Sequence, residues 1–227
     1  MTSYILSKDV LDIGYFTDNL EETLKFWKND LGLDCETPVR YNNGLTQYRH
    51  PLRETIIKVN TSDRKLAKPP SGYTELFIAT KNLNSPKSTL NPDGELITLV
   101  PKGHLGISET AIKVAVSNAK SHGHFYEVVM GFEKIGENSF RSGNCLLFTE
   151  EKKGHARAGH WTNYGFRYFT VHVRNIDDTF NRIVAAGAEV GEEPYAIGDI
   201  AKISFVRDPD GNWIEVAQRA SLAGTWA

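Results

Sequence analysis

An α+β fold built from repeats of one strand–helix–strand unit is what this 227-residue sequence predicts. Three observations predict it. Asn19, Phe26, Trp27 and Gly32 recur without a gap as Asn118, Phe125, Tyr126 and Gly131, a constant offset of 99 positions. A further copy begins with the alternating residues Phe169, Val171 and Val173, runs through Ile176, Phe180 and Ile183 at helical spacing, and stops at Gly187. The turn sequence Pro209, Asp210, Gly211 is echoed by Pro92, Asp93, Gly94.

In the first unit a short apolar strand leads to Asn19, a helix cap, and the helix ends at Gly32. Phe26 and Trp27 share a face with Leu24 and Leu31, so they are expected to pack against a sheet. The second unit looks truncated. Asn82 to Pro92 spans only 10 positions where Asn175 to Pro209 spans 34, and an ordinary helix alone takes about 11–12 residues. Ser85, Pro86 and Pro92 mark that segment as loop, and Lys68 to Gly72 as the connection leading into it. The third unit repeats the first, with Phe125 and Tyr126 packed beside Val129 and Met130.

The fourth unit, capped at Asn175, closes in a hairpin from Phe205 to Val216. Its turn chemistry is explicit, since proline fixes φ, aspartate bonds its own backbone and Gly211 accepts positive φ. On the strand that follows, the period of two sets Trp213, Glu215 and Ala217 on one face and Ile214 and Val216 on the other. Glu215 therefore lines a cavity or faces solvent. Two units to a half give expected domains at residues 1–105 and 106–227, the second unit being degenerate.

The hairpin and the repeat together resemble the βαβββ modules of the vicinal oxygen chelate superfamily, which includes glyoxalase I, type I extradiol dioxygenases, fosfomycin-resistance enzymes and bleomycin-resistance proteins. The resemblance covers nearly the whole chain and is strongest over residues 165–220. It implies curled mixed sheets around a cavity for a small organic molecule, incomplete in the N-terminal half where the second module has no room for a helix. In that family a cavity draws metal ligands from the first and last strands of paired modules, with His or Gln on the first and Glu on the last. Counting back from the caps, the first-strand places fall on Asp12, Glu75, Ala111 and Tyr168. The last-strand places are Thr98 and Glu215, with Glu54 the candidate in the first module.

None of these is histidine, so the two imidazoles and one carboxylate that oxygen-activating iron needs are missing. The cavity-facing set expected in the second half is Ala111, Lys113, Tyr168, Thr170, His172, Trp213 and Glu215, which suits acid–base work without a metal. Glu215, His172 and Tyr168 are the candidate catalytic residues, and Trp213, Thr170 and Lys113 the candidate ligand-binding ones. Glu215 is expected to face the cavity and to hydrogen-bond Tyr168 or hold a divalent metal weakly. No other cofactor is implied. By resemblance the activity is that of a lyase, isomerase or dioxygenase acting on an oxygen-bearing molecule; the alternative is a metal-free binding or sequestration protein of the bleomycin-resistance type. A homodimer is left open.

Bulk properties narrow the partners. A formal charge of −2 with no basic block gives no footprint for nucleic acid or an anionic membrane. No apolar stretch approaches the roughly 18 residues of a membrane span, and with two cysteines and no leader-like start a reducing cytoplasm is expected. Cys35 and Cys145 read as buried small hydrophobes. His122 and His124 read as solvent-facing or capping, His50 and His104 as loop residues, and His155 and His160 as part of an exposed Gly-rich connection that could fold over a substrate.

Overall fold

The offset of 99 positions is reproduced in the backbone. A computed structural model describes residues 4–41 and 43–226. In it α1 (Leu20–Lys25) runs on as a π-helix over Phe26–Asp30, and α2 (Ala119–His124) as a π-helix over Phe125–Val129. Gly32 and Gly131 follow with φ of 70° and 68°, the left-handed conformation that lets the chain leave a helix. Asn118 and α3's Asn175 cap by accepting from the backbone N–H of Ser121 and Asp178 at 2.9 and 3.1 Å, α3 being Ile176–Ala185. Asn19 departs from the expected cap. Its side chain donates instead to Asp93 at 3.0 Å, because the Pro92–Gly94 turn docks on this helix start and Thr17 and Thr23 donate to the same carboxylate. The Pro209–Gly211 turn does the same for α2, where Asp210 accepts from the Ser117 backbone at 2.6 Å.

The strands are β1 (Asp12–Phe16), β2 (Val39–Arg40), β3 (Leu45–Leu52), β4 (Thr55–Ser62), β5 (Tyr73–Thr80), β6 (Lys87–Leu90), β7 (Leu96–Pro101) and β8 (Thr110–Val116). They continue as β9 (Glu133–Gly136), β10 (Ser139–Ser142), β11 (Cys145–Glu151), β12 (Gly165–His172), β13 (Glu189–Ile197), β14 (Ala201–Arg207) and β15 (Trp213–Arg219). Module two has no helix, and its segment 82–92 contributes only β6, as its length required.

Curled mixed sheets form, but they do not follow the expected division at residue 105. One sheet runs β13-β14-β15-β12-β1-β4-β3-β2 and the other β6-β7-β5-β8-β11-β10-β9. Module one therefore shares a sheet with module four, and module two with module three. The seam in each is an antiparallel pair of first strands, β1 with β12 and β5 with β8. Modules one and two, and likewise modules three and four, contribute to different sheets although they are adjacent in sequence.

Strand alternation decides what each face carries. Ile214 and Val216 join Ile13, Phe169 and Val171 in a core shared with the second sheet and with the helix residues Phe26, Trp27, Phe125 and Tyr126, while Trp213 and Ala217 join Phe205 and Trp161 on the opposite, concave face. Burying each large side chain of this core is worth roughly 1.5–3 kcal/mol.

Several single-residue expectations are corrected. Cys35 is exposed, and only Cys145 is buried. His50 lies buried on β3, bonded to the Leu33 carbonyl. His122 is also buried, with Asp210 3.3 Å from its Nε2 and the Asn118 carbonyl 2.9 Å from its Nδ1. Among the described residues no helix is long and apolar enough to cross a membrane.

Candidate functional site

The concave face of the larger sheet holds a cavity of about 350 Å³ that needs both of its modules. Asn60 and Gln47 come from module one and Tyr168 and Glu215 from module four; the walls include Trp161, Tyr195 and Phe205. Trp161 stacks on Phe205 at 4.7 Å between ring centroids, and Tyr168 meets Phe205 edge-on at 5.5 Å. The Gly-rich connection before β12 thus lays Trp161 over the face. Next to it a narrow arm of about 80 Å³ is lined by Arg49, Lys58, His172 and Arg219 and shares Tyr41, Gln47 and Glu215 with the main cavity.

Beneath the cavity lies a closed network of polar side chains. Lys58 Nζ donates to Glu215 Oε2 at 2.6 Å and to Thr170 Oγ1 at 2.7 Å, and the Thr170 hydroxyl donates to the same carboxylate oxygen. Alongside it, Asp12 accepts from Lys8 Nζ at 2.6 Å, the Ile56 backbone at 2.8 Å and His172 Nε2 at 2.7 Å. Burial works to raise the Asp12 carboxyl, but the His172 hydrogen bond and the Lys58 and Lys8 charges hold it well below the usual carboxylate range. Burial pushes His172 down against the pull of Asp12, and a neutral ring facing the Asp12 carboxylate donates from Nε2. Its Nδ1 is buried without a partner among the described residues.

The six residues singled out from sequence do not all meet. Glu215, Tyr168 and His172 do border the two arms, but Glu215 bonds Lys58 and Thr170 rather than Tyr168. The Tyr168 hydroxyl is instead 3.4 Å from Asn60 Nδ2, and burial followed by the Glu215 charge raises its pKa well above that of a free phenol. Thr170 is fully buried beneath the floor. Trp213 backs the wall, its indole N–H donating to the Gly159 carbonyl at 2.8 Å and its ring against Phe205. Lys113 lies on the other sheet, paired with Glu75 at 2.7 Å, because β8 and β12 belong to different sheets.

Asp12 and Tyr168 both stand seven residues before their caps, Asn19 and Asn175. Two residues on, Gly14 pairs with Lys58 across β1 and β4, just as Thr170 pairs with Glu215 across β12 and β15. Lys58, not Glu54, is therefore the last-strand counterpart of Glu215 in module one. The missed signal lay in strand register, which the sequence alone left loose. Tyr168 can cross to this floor because Gly14 has no side chain: a Cβ there would sit 2.1 Å from the phenol ring.

These four places do not suit the divalent metal that the resemblance implies. They supply a carboxylate saturated by three donors, an ammonium, a phenol held protonated, and a second carboxylate already bonded by that ammonium and a hydroxyl. A metal site normally offers three protein ligands, and among the described residues no group of three His, Cys, Asp or Glu side chains is placed to hold an ion. The Lys58 ammonium supplies the positive charge at this position.

Comparison with known proteins agrees with this architecture. Residues 106–216 match the family model Glyoxalase/Bleomycin resistance protein/Dioxygenase superfamily. Glyoxalase I from Zea mays superposes with a TM-score of 0.71 at 13% identity, covering 92% of each chain. A putative dioxygenase from Bacillus subtilis subsp. subtilis str. 168 superposes with a TM-score of 0.72 at 12% identity, covering 96% of this chain and 86% of that one. At such identities the likeness concerns the fold. No curated protein matches the chain in sequence.

Proposed function

We propose that this chain, whose residues 106–216 match the glyoxalase/bleomycin resistance protein/dioxygenase superfamily model, binds a small oxygen-bearing organic molecule in the concave cavity without a metal. The observation that carries this reading is the 2.6 Å pair between Lys58 and Glu215, which fills the last-strand ligand places of both modules with charges that satisfy each other. The aromatic side chains Trp161, Tyr168 and Phe205 provide flat walls, and Asn60 and Gln47 provide amide groups at the floor. A cavity that is mostly apolar with a few fixed polar groups is the general form of a small-molecule site.

Acid–base turnover is a second reading, favoured by the Asp12–His172 pair. With Nε2–H held by the carboxylate, Nδ1 has no partner among the described residues and His172 borders the narrow arm, so the ring would accept a proton from a bound molecule once Nδ1 is uncovered. The nearby Lys58 ammonium would stabilise negative charge developing on the substrate's oxygen.

A fragment screen by protein-observed NMR in the presence of EDTA tests both. Aromatic, oxygen-bearing fragments should perturb Tyr168, Phe205 and Trp161 with chelator present. Hits that map elsewhere, or that need added metal, contradict the binding reading. His172→Gln should leave binding intact and abolish any turnover; unchanged turnover removes the second reading.

A further inference from the structure

We propose that the narrow arm is an anion subsite and that the ligand is a small aromatic carboxylate, its ring in the main cavity and its carboxylate facing Arg219. This deepens the binding reading above and rests on it.

The division of labour follows from size and charge. The main cavity of about 350 Å³ accommodates a ring against the wall formed by Phe205 and Tyr168, whereas the arm of about 80 Å³ has room for a compact polar group only. Of the cations at the arm, Lys58 is matched by Glu215 at 2.6 Å and Arg49 by Glu36 at 3.0 Å. Asp12 is taken by Lys8 and His172. Arg219 stands on the same face of β15 as Glu215 and Ala217, partly buried, and among the described residues it forms no ion pair and no side-chain hydrogen bond. It also lies close enough to Arg49 for the two guanidiniums to repel, an effect second only to burial in lowering its pKa. One unmatched cation beside another calls for a single negative charge. A carboxylate supplies one and accepts the paired N–H groups of a planar guanidinium. Tyr41, whose ring borders both arms, connects the two parts of such a ligand.

Isothermal titration of the full chain with 1-naphthoate and with its neutral counterpart 1-naphthalenemethanol, in EDTA, tests the assignment. The acid is expected to bind at least tenfold more tightly, with an advantage that shrinks as salt is raised. In Arg219→Gln that advantage should disappear while the neutral compound binds as before, which also reports that the variant is folded. Equal affinities in the native protein, or a preference that survives in Arg219→Gln, overturn the anion subsite and leave the binding reading standing. The native comparison does not depend on the variant. If neither compound binds, the binding reading falls and this inference with it.

Discussion

Lys58 and Glu215 stand at equivalent places on the last strands of modules one and four and meet across the seam of the larger sheet at 2.6 Å, with side chains 7% and 8% exposed. Two modules that could each have offered a metal ligand offer a base and an acid instead. Their mutual attraction offsets desolvation only while both are present.

Removing one partner should therefore cost more than removing both. Lys58→Met leaves Glu215 buried and unpaired and is expected to lower stability by about 3–5 kcal/mol. Lys58→Met combined with Glu215→Leu should recover most of that loss. Urea unfolding of Lys58→Met, Glu215→Leu, the double variant and the native protein completes the cycle. Additive losses would mean that the pair is not coupled.

Gly14 is predicted to be intolerant of any side chain for one named reason, the Tyr168 ring 2.1 Å from where its Cβ would lie. Gly14→Ala should destabilise by about 1–3 kcal/mol, the usual range for overpacking. Adding Tyr168→Ala should remove most of the clash, although it introduces a cavity of its own. Thermal unfolding measured for both single variants and the double variant gives the coupling; a purely additive result would locate the strain elsewhere.

Stability should also carry a pH signature from the turn of module two. Burial, set against the Phe166 backbone N–H and Arg167, raises Glu95 to about 7, and burial likewise raises Asp93 to about 6. A carboxyl whose pKa is higher folded than unfolded binds more protons in the native state, so its contribution is fully present near pH 4 and is lost as pH rises through about 6 to 7. Glu95→Gln should flatten the decline between pH 4.5 and 7, read from urea midpoints across that range, roughly the interval over which linkage acts. A variant curve parallel to the native one would contradict the assignment. His172 works in the opposite sense. Its lowered pKa makes protonation favour the unfolded chain, a penalty that grows as pH falls below its ordinary value.

Local chemistry made much of this fold legible. The repeat of Asn19, Phe26, Trp27 and Gly32 at Asn118, Phe125, Tyr126 and Gly131 encoded two helices of the same length and ending, and the shortness of 82–92 encoded a module without one. Period-two alternation placed Glu215 opposite Ile214 and Val216. What stayed hidden depended on partners distant in sequence. Nothing in the repeat said that β1 pairs with β12 and β5 with β8, so Lys113 was grouped with the wrong sheet. Nothing in the sequence marks Lys58, because its significance lies in Glu215, 157 positions away. His122 reads as solvent-facing or capping in sequence because its neighbour Asp210 arrives on the turn of another module.

The Lys58 ammonium occupies the last-strand place of module one, where the resemblance to the vicinal oxygen chelate superfamily implies a metal ligand. Isothermal titration of Ni²⁺, Mn²⁺ and Zn²⁺ into chelator-treated protein tests most directly whether a metal binds there, with Glu215→Gln as the control that localises any signal. No one-to-one binding dependent on Glu215 is predicted for any of the three ions. Stoichiometric binding that is lost in Glu215→Gln would show a metal held there in spite of the Lys58 pair.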